Sequence, residues 1–373
     1  MKILVVPTTD WLGHPVPNRL NFVFDRLAKK HEIDVCEFKI FNKPIRETNC
    51  KLIEMDKDSD RRRGVKSYYL KRSLSHWKKI AEISGGYDVI ISSNIIPSSI
   101  LNVLSTPFII DYLDHLPESA SAYYHPPLDH LVHLTADHLM DLQIKKAKGL
   151  ITTTSRFKDF LQDKTESPIE VVHNGVDCSL LYPVKDKSIK EEYRLTRPVI
   201  GYVGSLEKWI DLEHIISMFP WIIDRYKKAT LFIVGPSLHT NYVEDLKGLI
   251  EDHDIQNNVV FSGGISYENL APYISAMDVG LNPRKPWAMN EYTMGSKVLN
   301  YLACGVPVLT TNMPVVNELF SKDDGVFPYE NDEEFMGELH RALSLKVDPS
   351  RVEKFDWNRI ASDYERAIYH TLE

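Results

Sequence analysis

The chain has 373 residues, of which 43% are hydrophobic and 26% charged, the balance of an ordinary soluble globular protein. A formal charge of −8 excludes a general nucleic-acid binder, although it leaves room for local basic patches. The length exceeds one hydrophobic core of usual size and predicts two domains, while Cys36, Cys50, Cys178 and Cys304 lie too far apart for a zinc site or a disulfide framework and fit a reducing, cytosolic setting.

The first residues, MKILVVPTT, read as a strand whose apolar run is too short for a signal peptide or a membrane span. An amphipathic NRLNFVFDRLAKK follows, then IDVCEF, YDVIISS, FIIDYL, GLITTTS and IEVVHN. Short runs rich in Val, Ile and Leu, separated by helical stretches, are what a parallel sheet buried on both faces requires. The most apolar region, 89–110, is interrupted by Ser92, Ser93, Asn94 and Pro97, so no transmembrane helix is expected. After a polar join at 180–193 the pattern restarts with PVIGYVGSL, ATLFIVGPS, NVVFSGG, DVGLNP and VPVLTT, interleaved with helices such as LEHIISMFPWIIDRY. The expected fold is therefore α/β, two tandem doubly wound Rossmann-like domains over 1–180 and 181–350. A final helix at 351–373 carries its apolar residues toward one side and is expected to cross back to the first domain.

In such sheets ligands bind beyond the carboxyl ends of the strands. The turns leaving the second series of strands hold Gly204 and Ser205, then Gly235, then Gly263 and Gly264, and RKPWAMNEYTMGSK precedes a helix that Gly295 and Ser296 open. Glycines let backbone amides approach a phosphate, a helix N-terminus adds partial positive charge, and Lys297 in the first turn adds a full one. Any one of these glycines also serves a tight turn; four at successive strand ends point to a nucleotide diphosphate. In the first half, DYLDHLPE places Asp111, Asp114 and His115 at a strand end, either as site residues or as caps of the next helix.

VVHNGVDCSLLYP, RPVIGYVGSLEKWIDLEHI, ATLFIVGP, NVVFSGGISYENLAPYISAMDVGLNP and SKVLNYLACGVPVLTT, in that order and spacing, resemble the nucleotide-sugar-binding half of a family 4 glycosyltransferase with the GT-B fold, strongly over 170–320. The resemblance implies a retaining transferase that moves a sugar from a nucleoside diphosphate sugar to an acceptor in a cleft between its domains, with no essential metal and no cofactor beyond the donor. It also implies two glutamates around the helix at 296–303. One aligns with Asn300, whose amide offers a single acceptor oxygen and no charge; the other aligns near Tyr292, with Glu291 beside it. Ser205 stands where family members commonly carry an arginine or lysine, so the charge on the diphosphate falls to Lys297, to Lys208, or to Arg284 and Lys285. The resemblance further implies that Gly13 passes close to the donor phosphate and that Asp114, Asp111 or His115 lies near the reacting sugar.

Residues 61–79 reverse the sign of the chain, with eight basic residues, no acidic one, and Tyr68, Tyr69 and Trp77 interleaved. This pattern suits an anionic membrane surface and predicts peripheral attachment to the cytoplasmic leaflet near a carbohydrate or lipid-linked acceptor; a solvated helical face is the alternative. Two other functions are compatible with the sequence. Asn300 and Ser205 favour a non-catalytic glycosyltransferase-like subunit, and a nucleotide-sugar epimerase shares the two-domain plan. The turn after the first strand, VVPTTDWLGHP, lacks G-x-G-x-x-G, which argues against a nicotinamide dehydrogenase.

Overall fold

In a computed structural model, which describes residues 1–14, 16–41, 45–56, 65–121, 124–236 and 242–373, the chain forms two compact units. Met1–Asn174 joins Trp357–Glu373 in the first, and Gly175–Asp356 forms the second. The first unit is built on seven strands: β1 (Lys2–Val6), β2 (Glu32–Glu37), β3 (Lys51–Glu54), β4 (Val89–Ser92), β5 (Phe108–Tyr112), β6 (Gly149–Thr152) and β7 (Ile169–Val171), in the order β3-β2-β1-β4-β5-β6-β7. The second has six: β8 (Val199–Val203), β9 (Thr230–Val234), β10 (Val259–Gly263), β11 (Val279–Asn282), β12 (Val308–Thr311) and β13 (Val326–Tyr329), ordered β10-β9-β8-β11-β12-β13. The neighbouring strands of both sheets run parallel. Strands such as β5, β8 and β9 are buried along their whole length, because helices cover both faces, and this is why they read as unbroken apolar runs.

Each sheet reverses its order once, between β1 and β4 and between β8 and β11. Such a switch point opens a crevice at the carboxyl ends of the strands, where ligands of doubly wound sheets bind. In the second unit the helix beyond this crevice is α4 (Ser296–Ala303). Tyr301 fixes it: the Tyr301 hydroxyl accepts the Val203 N–H at 2.7 Å and donates to the Leu281 carbonyl at 3.1 Å, tying α4 to the ends of β8 and β11.

In the first unit α1 (Arg19–Leu27) starts from a capping box made by Asn18 and Asn21, which satisfies N–H groups the first turn would leave unpaired. The outer layer includes α2 (Val65–Ser84) and α3 (Leu128–Lys146). The chain's last helix, α5 (Trp357–Leu372), packs into the first unit: Trp357 stacks on Phe22 with ring centroids 4.8 Å apart, and Tyr364 meets Phe24 edge-on at 5.5 Å. A buried ion pair reinforces that junction. Arg19 lies 3.3 Å from Asp111, whose other oxygen accepts the Tyr364 hydroxyl at 2.8 Å. Among the described residues no helix is long and apolar enough to cross a membrane.

Candidate active site

The crevice of the second unit is shaped first by backbone. Gly204 ends β8 at φ 142° and Gly235 ends β9 at φ 147°, a region side chains rarely enter. A Cβ on Gly235 would strike the Gly204 carbonyl, and a Cβ on Gly204 would occupy the Lys297 side chain. The two strand ends are therefore bare so that backbone and one lysine can meet. Lys297, in the first turn of α4, reaches over the Tyr202 ring with its ammonium 5.5 Å from the centroid. Arg284, two residues beyond β11, lays its guanidinium over Gly295, 2.6 Å from the position a Cβ would take there, and donates to the Asn290 side-chain oxygen at 3.2 Å. Gly295 caps α4 without a side-chain hydrogen bond, which leaves the first N–H groups and the positive end of the helix dipole facing the same spot.

Two cations are thus crowded together at a helix N-terminus. Burial, and after it the Arg284 guanidinium, pull the Lys297 ammonium from 10.5 down to about 7. No carboxylate among the described residues pairs with Lys297; the opposing charge that would restore its ordinary basicity is lacking. One turn further along α4, Asn300 is buried and its side-chain oxygen has no hydrogen-bond partner among the described residues. A buried acceptor left in that state awaits a donor. The arrangement can bind a dianionic group at its cationic end and a hydroxyl at Asn300. No group of three or more His, Cys, Asp or Glu side chains is placed to hold a metal ion among the described residues.

Gly204, Gly235, Gly295, Ser296, Lys297 and Asn300 come together at this crevice. Ser205 contributes through its carbonyl, which accepts the Tyr202 hydroxyl at 2.8 Å and steadies the ring beneath Lys297. Lys208 and Glu291 are exposed. Lys285 requires a correction: its ammonium sits 2.8 Å from Glu213, in the helix Leu212–Arg225, so the cation beside Lys297 is Arg284. In the sequence Arg284 is only one of several candidate cations, and no motif marks Tyr202 or Tyr301, whose roles come from the partners that the fold brings to them.

In the first unit, Gly13 and Asp111 are both engaged within the fold. The Gly13 amide, expected at a phosphate, donates to the Asp10 carboxylate at 2.7 Å, and Asp10 also accepts the Ile40 and Phe41 amides, so this loop is organised around a buried carboxylate. Asp111 is fully buried against Arg19 and Tyr364; burial raises its pKa while Arg19 draws it down, and it holds α5 rather than meeting a substrate. Asp114 and His115 do stand at the exit of β5, both half-buried. Asp114 accepts the His115 amide at 2.9 Å, and the His115 ring tilts against Phe160 at 5.2 Å with its pKa lowered, by burial first and then by His133.

The basic stretch also differs from expectation. Arg61, Arg62 and Arg63 lie outside the described residues. Within α2, Tyr68 and Tyr69 are buried, bonded to Asp56 and to the Thr8 carbonyl, and Trp77 donates to the Ile96 carbonyl at 2.7 Å. These aromatics serve the core of the first unit, not a surface.

The fold and the crevice define a class, the two-domain GT-B proteins. Sucrose-phosphate synthase from Thermosynechococcus elongatus superposes with a TM-score of 0.77 at 16% identity over 100% of this chain and 98% of that one. HepE of Anabaena, solved in complex with UDP and glucose, gives 0.72 at 15% identity over 99% of each chain. Residues 184–356 match the family described as Glycosyl transferases group 1. Among relatives, an uncharacterized glycosyltransferase of Methanocaldococcus jannaschii is 21% identical over 60% of this chain and 59% of its own length. The alpha-monoglucosyldiacylglycerol synthase of Streptococcus pneumoniae is 24% identical over 54% and 45%. The chain thus spans about half the length of the curated relatives it matches.

Proposed function

We propose that the chain is a glycosyltransferase that moves a sugar from a nucleoside diphosphate sugar to a carbohydrate or lipid-linked acceptor, with retention of configuration and without a metal ion. The observation that carries this reading is Lys297 at the open N-terminus of α4, a cation that no carboxylate offsets among the described residues and that has the Arg284 guanidinium nearby. A diphosphate supplies the missing charge. The ribose hydroxyls then supply the donor that the Asn300 oxygen lacks. The UDP complex of HepE, a protein of the same fold, and the glycolipid in the name of the similar pneumococcal synthase lend support.

In this mechanism the leaving diphosphate gathers negative charge as the bond to the sugar breaks. Lys297, Arg284 and the α4 amides are already aimed at that charge, so stabilising it needs no rearrangement. With a pKa near 7, Lys297 is also suited to hold a proton against the departing phosphoryl oxygen. Asp114 and His115 are the proposed acceptor-side groups. We place the enzyme in the cytoplasm, peripheral on the inner face of the membrane.

A panel of UDP-, GDP- and ADP-sugars, with glycan and glycolipid acceptors, tests the proposal. The expected result is acceptor-dependent release of one nucleoside diphosphate, unaffected by chelators, with the donor's anomeric configuration in the product. Donor binding without release under every acceptor supports the non-catalytic subunit, and turnover of a donor alone supports the epimerase.

A further inference from the structure

Among the described residues, the first unit leaves an apolar surface exposed. Among the described residues seven leucines are strongly exposed, and six of them, Leu70, Leu74, Leu128, Leu131, Leu134 and Leu142, belong to α2 and α3; Leu345 is the seventh. Both helices pack on the same helical turns, residues 95–103, where Val103 is itself 76% exposed. On α3 the buried residues are Ala136, Met140, Gln143 and Ile144, with Gln143 anchored to the Ile95 carbonyl at 2.8 Å. At about 100° per residue the four α3 leucines fall on the opposite stripe. They are therefore not core residues caught at an edge; they are the helix's outward face.

The charges around this stripe have one prevailing sign. Lys71 and Lys78 on α2 and Lys145 and Lys146 on α3 are exposed. Of the α3 carboxylates, Asp137 and Asp141 are drawn aside by Lys164, at 3.7 and 2.7 Å, and Asp129 stays in the first turn, at the far end of the helix from Lys145 and Lys146; on α2, Glu82 answers Lys78 only at 3.9 Å. A second copy of the same face would set like charges together. A bilayer carrying anionic headgroups matches both features, since leucines enter the boundary of the acyl chains while lysines stay among the phosphates.

We infer that the leucine face of α3, together with Leu70 and Leu74 of α2, docks the protein on an anionic lipid surface. This deepens the proposed function by assigning the surface near which a lipid-borne acceptor is met, and rests on that reading only for its purpose. Exposed leucines, and not the inward-facing Tyr68, Tyr69 and Trp77, make the apolar contact.

The test is co-sedimentation of the full chain with vesicles of phosphatidylcholine alone or with about a third phosphatidylglycerol, at low and high salt. Wild type is expected to bind the anionic vesicles at low salt. Leu131→Ser/Leu134→Ser should reduce partitioning at least tenfold with an unchanged circular-dichroism spectrum and melting temperature, and Lys145→Gln/Lys146→Gln should weaken binding and its salt dependence. No wild-type binding to anionic vesicles, or binding indifferent to the leucine changes, overturns the inference. So does a dimer in sedimentation velocity that the leucine changes abolish, with vesicles ignored; the occupant is then a second copy. Calorimetric donor titration on the same samples separates the two proposals: donor binding without vesicle binding removes the docking surface alone, and vesicle binding without donor binding removes the transferase reading alone.

Discussion

Replacing Lys297 by methionine should stabilise the ligand-free protein, and by an amount that depends on pH in a defined direction. The ammonium falls from 10.5 to about 7 on folding. With each tenfold change in acidity equal to about 1.4 kcal/mol, holding Lys297 charged in the folded state costs on the order of 5 kcal/mol at most. Below pH 7 both folded and unfolded chains carry the proton and the penalty is fully present. Between about 7 and 10.5 the unfolded chain keeps a proton that the folded one has shed, so wild-type stability rises with pH relative to the variant. Urea unfolding of wild type and Lys297→Met at a series of pH values reads this difference directly. The variant's advantage is largest below pH 7 and shrinks toward pH 10. A difference that is flat with pH, or a variant less stable at pH 6, would show that folding does not depress the Lys297 ammonium. A bound diphosphate restores the charge, so binding takes up a proton above pH 7. Donor affinity should then fall about tenfold per pH unit.

Asn300→Ala should weaken nucleoside diphosphate binding roughly five- to tenfold, the worth of one hydrogen bond; calorimetry with the matching deoxyribose nucleotides, which lack the contact, should show no such loss. Gly235→Ala brings a methyl group onto the Gly204 carbonyl, so it should abolish donor binding and lower the melting temperature, and a variant that binds normally would contradict the described crevice. Asp111→Ala leaves Arg19 buried without its partner, a loss of about 3 kcal/mol or more in unfolding experiments. The fraction that stays folded should keep its turnover number, whereas a catalytic carboxylate would take the turnover with it.

The tandem sheets were legible because strands buried on both faces must be apolar throughout, as in VIGYV of β8 and TLFIV of β9. The glycine-opened start of α4 was legible for a local reason as well: Gly295, Ser296 and Lys297 adjoin in sequence. What stayed hidden depended on register and on distant partners. Arg284 and Lys285 are neighbours in an extended segment and so point to opposite sides, one to Gly295 and one to Glu213; sequence alone does not say which. Asp111 looks like any carboxylate at a strand end until Arg19 and Tyr364, far away in the chain, are brought to it. Gly13 was more readable than it seemed, since an Asp three residues before a glycine commonly accepts its amide. In α2, Tyr68, Tyr69, His76 and Ile80 share the buried face, a helical spacing that outweighs the interleaving with lysines.

The proposed function stands on Lys297, with Arg284 beside it, holding the pyrophosphate of an activated sugar. Calorimetric titration of wild type and Lys297→Met with UDP-, GDP- and ADP-sugars at pH 7 tests it most directly. One nucleotide series should bind wild type, and the variant should lose roughly 10- to 100-fold in affinity, the value of a charge-assisted contact in a crowded site. Folded wild type that binds none of the three, or a variant that binds as tightly, would contradict it.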